Sequence, residues 1–157
     1  MQKTKTLTKA ALIAALYVVL TYLANLLGLA SGAVQVRFSE ALTILPLFTA
    51  AAIPGLTLGC LLANFLTGCA LWDVIFGAVA TLLGALGTRY LSKQNKWIAP
   101  LWPILANTLI IPFVLRHVYG APDALWYLFV TIALGEIISC GVLGVPLAKL
   151  LEKRKLF

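Results

Sequence analysis

Apolar residues run through this chain in stretches of up to about twenty, and most of its polar residues gather between them. A helix needs about 20 mostly apolar residues to cross a lipid core of roughly 30 Å, because each residue adds about 1.5 Å. Backbone groups find no water in lipid, so runs this long must be helical. The pattern predicts spans at about 9–28, 40–52, 54–69, 72–91, 97–118 and 125–151. The second is short and contains Pro46, and Pro54-Gly55 reads as a turn opening the third. The loops LASGAVQVRFS, SKQNK and YGAPD separate other runs. No second domain, linker or low-complexity tract interrupts them, so the expectation is one membrane domain, an all-α bundle of six transmembrane helices.

Composition removes the soluble alternative. Hydrophobic residues make up 62% of the 157 and charged residues 11%, with a mean hydropathy of +1.00. A soluble domain covers its surface with about 25% charged residues. Lys3, Lys5 and Lys9 followed by an apolar stretch and the small residues 30–33 resemble a secretion signal. The apolar stretch has span length, however, and further spans follow, so it is expected to be a retained first helix.

The net charge of +7 does not point to nucleic acid, because the basic residues sit at the ends of apolar runs. Six spans place ten of them on one side: Lys3, Lys5, Lys9, Arg89, Lys93, Lys96, Lys149, Lys153, Arg154 and Lys155. The other side receives only Arg37 and Arg116. Positive charge is retained in the cytoplasm, so both termini are expected there. Cys60, Cys69 and Cys140 form no CxxC pair and suggest no disulfide framework.

Ionisable groups in or beside a membrane span are costly and ask for a reason. On the outer side these are Arg37, Glu40, Asp73, Arg116, His117 and Asp123. Glu136 lies about eleven residues into the last span, roughly 16 Å of travel, with no Lys or Arg expected at its depth. Asn107 sits comparably deep, Asn64 lies in the outer half of the third span, and Tyr22 and Asn25 mark the outer end of the first. Each has a plain structural reading. Trp72, Trp126 and Tyr127 suit an interfacial aromatic belt, Asn64 and Asn107 suit interhelical hydrogen bonding, Asp73 suits a helix N-terminus, and Glu40 suits pairing with Arg37. Together the groups also describe an outward-facing pocket for a flat, donor-rich heterocycle. The guanine edge is an example, since its N1–H and exocyclic amine can both donate to one carboxylate.

Small residues recur at helical spacing: Ala10 with Ala14, Ala11 with Ala15, Gly55 with Gly59, then Ala80, Gly84 and Thr88. Such spacing lets helices approach closely in lipid, within the bundle or against another membrane protein. No P-loop, HExxH or Ser/His/acid arrangement is present, and one histidine cannot build a His-rich metal site. The chain is expected to be neither an enzyme nor an ATP binder. Active transport would then draw on a partner or an ion gradient.

The segments VQVRFSEALTILPLF, AAIPGLTLGCLLANFLTG and WDVIFGAVATLLGALGTRYL resemble the QueT family, and the likeness continues to LGEIIS near the end. That family belongs to the substrate-binding S-components of energy-coupling factor (ECF) transporters. The resemblance implies a six-helix S-component fold in a prokaryotic cell membrane. It implies capture of queuosine precursors, 7-deazaguanines such as preQ1 or queuine. It implies a transmembrane T protein and two cytoplasmic ATPases as partners, with ATP used only by the latter. Under it, Ala10, Ala11, Ala14 and Ala15 face the T protein, while Arg37 and Glu40 belong to the segment that closes over the ligand. The pocket candidates are Arg37, Glu40, Asn64, Trp72, Asp73, Asn107 and Glu136, with roles read from chemistry and depth. Three readings compete: an S-component for a different vitamin, a proton-coupled carrier switching on Glu136, and a membrane enzyme or structural subunit. The carrier lacks the internal repeat many carriers show.

Overall fold

A chain in lipid satisfies its backbone internally, and the apolar runs are accordingly helical. The computed structural model describes residues 2–30 and 34–154. Ser31, Gly32 and Ala33 of the first loop, and Lys155 of the basic C-terminus, lie outside the described residues. The helices are α1 (Gln2–Leu26), α2 (Ala52–Leu66), α3 (Leu71–Leu91), α4 (Leu101–His117), α5 (Leu125–Glu136) and α6 (Gly144–Arg154). A 3-10 helix occupies Phe38–Leu47, and a π-helical stretch, Ile137–Leu143, joins α5 directly to α6. No strand occurs among the described residues.

Four helical stretches are long and apolar enough to cross a membrane: Lys3–Leu26, Leu71–Leu91, Lys96–His117 and Leu125–Arg154. The protein is a multi-pass membrane protein. The second and third runs differ from the expected spans. The second is a ten-residue 3-10 helix, and the third is the 15-residue α2. A 3-10 helix rises about 2.0 Å per residue, so ten residues reach about 20 Å where an α-helix would reach about 15 Å. Every residue from Ser39 to Pro46 is buried, so this short segment is solvated by the protein and not by lipid. Its last carbonyls are capped from α3: Arg89 Nη1 donates to Pro46 O at 3.1 Å and to Leu47 O at 3.4 Å.

Successive helices α1 to α4 pack side by side, α5 follows α4, and the 3-10 helix lies among them, touching α1, α2, α3, α6 and the π stretch. Ile13, Tyr17, Leu42, Leu45, Leu56 and Cys60 form the centre of the core. Small residues make the close approaches. A Cβ on Gly55 would come within 2.8 Å of Ala10 O, and one on Gly59 within 2.7 Å of Tyr17 Cβ and 3.1 Å of Ala14 Cα. The α1–α2 seam therefore takes Ala10 and Ala14 for itself. Ala11 and Ala15, about 100° further round α1, stay exposed. Between α3 and α4, Gly84 lies against Pro103, and Thr88 Oγ1 donates to Ala99 O at 3.1 Å.

Candidate functional site

Two cavities meet at the end of the bundle away from the described termini. The wide one is open and holds about 550 Å³. Tyr22 and Asn25 line it from α1, Asn64 from α2, Asp73 from α3 and Tyr119 from the loop after α4, with Gln35 and Arg37 at its base. The narrow one holds about 20 Å³ and is lined by Gln35, Arg37, Glu40, Cys60, Asn107 and Glu136, among others. Gln35, Arg37 and Ile111 belong to both and form the wall between them.

The first loop places these groups by dipping back into the bundle after α1. Val36 N donates to Leu29 O at 2.9 Å, and Arg37 N donates to Ser139 Oγ at 3.1 Å. Gly135 permits the approach, because a Cβ there would overlap the carbonyl oxygen of Gln35. Ser139 Oγ in turn donates to Gly135 O at 2.8 Å. The loop is thus tied to the middle of the long last helix, one turn from Glu136. This corrects the expectation that no Lys or Arg reaches the depth of Glu136: Arg37 arrives there from the loop.

Glu40 is buried in the first turn of the 3-10 helix. Tyr17, in the middle of α1, donates its hydroxyl hydrogen to Glu40 Oε1, while Glu40 Oε2 is buried without a hydrogen-bond partner. The expected Glu40–Arg37 ion pair does not form, and among the described residues Lys96–Glu152 is the ion pair present. Glu136 Oε2 lies 3.2 Å from the thiol of Cys140, one turn later. Thr43 Oγ1 donates to the Glu40 carbonyl at 2.6 Å, and Cys140 Sγ lies 3.6 Å from the same oxygen. The π stretch brings Ser139 and Cys140 onto this face, and such widened turns recur at functional sites. Asn107 from α4 completes the narrow cavity, and its Nδ2 is also buried without a partner.

Asn64 and Asp73 belong to the wide cavity. Arg37 Nη1 donates to Asn64 Oδ1 at 3.4 Å, and Asn64 Nδ2 reaches Asp73 O at 3.5 Å. Gly77 leaves room for this amide, since a Cβ there would come within 2.7 Å of Asn64 Nδ2. Asp73 Oδ2 accepts from Tyr119 Oη at 2.9 Å. Burial, with the Asp73 carboxylate beside it, pushes the Tyr119 hydroxyl up to about 12, so it remains a donor at neutral pH. Asp73 also lies in the first turn of α3, so its helix-end role and its place in the site coexist.

Trp72 is not part of either cavity. It is 56% exposed, stacks on Phe76, and lines an apolar groove outside the bundle with Leu109, Phe113 and His117. The helical phase explains this: Asp73 faces inward, and its neighbour along the chain must point about 100° away. Trp126 and Tyr127 are exposed at the start of α5, as an interfacial belt requires. Arg116 ties down the following loop through Ala121 O at 2.9 Å and Asp123 O at 3.1 Å.

Six of the seven pocket candidates therefore converge: Arg37, Glu40, Asn64, Asp73, Asn107 and Glu136. Tyr17, Gln35, Cys60, Tyr119 and Ser139 were not anticipated. Tyr17 carried a readable sign, a phenol in the middle of an otherwise apolar helix. The others depend on which helix faces meet.

The family model described as QueT transporter matches residues 7–153. A protein named queuosine precursor transporter QueT, from Lactococcus lactis subsp. cremoris strain MG1363, is 32% identical over 152 residues, covering 88% of this chain and 89% of its own length. No solved structure matches.

Proposed function

The chain belongs to the QueT transporter family, and from that premise we propose that it is the substrate-capturing S-component of an ECF transporter. The single observation that carries this reading is the buried polar set around the narrow cavity. Two carboxyl groups and an amide are gathered there, with Glu40 Oε2 and Asn107 Nδ2 lacking partners. A buried polar group without a partner costs about 1–3 kcal/mol, so these atoms suit a ligand that supplies both a donor and an acceptor. The guanine edge does so: N1–H and the exocyclic amine donate to a carboxylate, and O6 accepts from an amide. The Lactococcus relative is named for queuosine precursors, and the ligand assigned to this chain is accordingly a 7-deazaguanine such as preQ1 or queuine.

The energising step belongs elsewhere. With no P-loop in the sequence, a T protein and two cytoplasmic ATPases would supply the energy. Of the four alanines expected to dock the T protein, Ala11 and Ala15 are exposed and available. Ala10 and Ala14 are committed to α2. The protein would capture its ligand outside a prokaryotic cell and release it inside once docked.

Ligand titration of the purified protein with preQ1, preQ0, queuine, guanine and a set of vitamins tests the reading. Binding of a deazaguanine, weakened at least about tenfold, or about 1.4 kcal/mol, by Glu136→Gln or Glu40→Gln, is expected. Binding of a vitamin alone would keep the S-component and reject the substrate. Uptake that persists without the ATPases and collapses with a protonophore would reject the S-component in favour of a carrier.

A further inference from the structure

Charge in the two cavities does not balance. Among the described residues their linings hold three carboxyl groups, Glu40, Asp73 and Glu136, against one guanidinium, Arg37, and no Lys or His. Charged groups inside a membrane domain are costly unless paired, so an excess of acid asks for a cation. Asp73 is the carboxyl group of the wide cavity and is 6% exposed. Its two oxygens are unequal. Ala70 N donates to Tyr119 Oη at 3.0 Å, and that hydroxyl donates to Asp73 Oδ2 at 2.9 Å. The backbone donor thus turns the phenol hydrogen toward Oδ2, and no hydrogen bond reaches Oδ1 among the described residues. Arg37 does not pair with Asp73. Its guanidinium bonds Asn64 Oδ1 at 3.4 Å, and Lys96–Glu152 is the ion pair present among the described residues. Thr67 Oγ1, on the same cavity, donates to Ala63 O at 2.8 Å, so what it offers a ligand is a lone pair.

We propose that Asp73 is a specificity-determining residue: it takes an ammonium group that the bound heterocycle carries on a short tether, so that the protein selects amine-bearing 7-deazaguanines over neutral ones. This subsite presupposes the function proposed above and concerns the part of the ligand that the narrow cavity leaves free. The polar edge of the heterocycle answers Glu40 Oε2 and Asn107 Nδ2. The ring itself is too large for the narrow cavity, at about 20 Å³. It fits the wide one, at about 550 Å³, within the roughly 300–1,000 Å³ usual for small-molecule pockets. A substituent on the side of the ring away from that edge then lies among the groups of the wide cavity. An aliphatic amine is protonated at neutral pH, as the lysine ammonium is with a pKa of about 10.4. It brings three donors and no acceptor. Asp73 Oδ1 takes one of them in a charge-assisted bond, and Thr67 Oγ1 lines the same cavity as a further acceptor. A nitrile in the same place would set one acceptor against another. A hydroxymethyl group could donate, but without the charge.

The full-length protein in detergent is titrated by calorimetry with three ligands that differ only in the side group. These are preQ1, which carries an aminomethyl group, preQ0, which carries a nitrile, and the hydroxymethyl analogue of preQ1, which is neutral and nearly the same size. The natural protein is expected to bind preQ1 roughly ten- to a hundredfold tighter than either neutral compound, the ratio that a hydrogen bond to a charged group supplies. Asp73→Asn keeps the shape of the side chain and removes its charge. It is expected to lower the preQ1 affinity to near that of the hydroxymethyl analogue and to leave both neutral compounds within about twofold. Their unchanged binding also shows that the variant is folded. Asp73→Ser, smaller and also neutral, is made beside it with the same expectation. Equal binding of the three compounds by the natural protein overturns the subsite and leaves the transport reading standing. A preference for preQ1 that survives both substitutions places the cation elsewhere and overturns the role of Asp73. An equal loss of all three compounds makes Asp73 structural and overturns it too. Binding of no deazaguanine by the natural protein rejects the transport reading and the subsite together.

Discussion

Tyr17 and Glu40 show how much one hydroxyl does in this site. The phenol is fully buried among core residues and donates to Glu40 Oε1. Removing it leaves a carboxyl group with neither oxygen satisfied. Tyr17→Phe is therefore expected to cost about 1–3 kcal/mol of stability and to weaken ligand binding, both readable from thermal melting with and without preQ1. Gly77 plays the reverse part, by being small. An alanine Cβ would meet Asn64 Nδ2 at 2.7 Å, and overpacking of this kind costs about 1–3 kcal/mol. Gly77→Ala is expected to shift Asn64, loosen the hold on Arg37 and raise the dissociation constant about tenfold, measured by calorimetric titration.

Among elements, α1 carries two stripes with different duties. Ala10 and Ala14 lie in the seam with Gly55 and Gly59, and Ala11 and Ala15 face outward. Gly59→Leu should pry α1 from α2 and lower the melting temperature together with ligand binding. Ala11→Leu with Ala15→Leu should leave melting and ligand binding of the isolated chain unchanged. The same pair should abolish its co-purification with a T protein and ATPases. Loss of melting temperature or ligand binding from the Ala11, Ala15 pair would show that the stripes are not separate. The 3-10 helix and the π stretch complete this scale. Both depart from α geometry where they face each other, and Glu40, Glu136 and Cys140 lie at that contact.

For the whole molecule, the charge distribution predicts the orientation. Ten basic residues assigned to one side against two is the imbalance that retains loops in the cytoplasm. Reporter fusions at the N- and C-termini are both expected to read cytoplasmic. Both termini reading outside would reverse the assignment of the open cavity and would remove the capture step, and a split result would reject an even number of crossings. In the described structure Arg37, Asp73 and Tyr119 line the open cavity, while Lys96 and Lys149 line a separate groove with Glu152.

The sequence by itself determined that the chain lives in a membrane, where its long helices lie, and which polar residues need explaining. These follow from local quantities: run length, hydropathy and the cost of a charge in lipid. Glu136, Asn107 and Asn64 stood out for that reason, and they line the two cavities. Only the tertiary structure decided the rest. A run from Glu40 to Ala52 cannot reveal that protein, not lipid, surrounds it, and that burial makes a short 3-10 helix sufficient. Trp72 and Asp73 are neighbours along the chain, yet helical rotation sends one to the outer groove and the other to the cavity. The two alanine stripes look alike as text, and only the position of α2 separates them. Arg37 joined Glu136 because a loop returns into the bundle across about a hundred residues of sequence, and local pattern carries no record of such a contact.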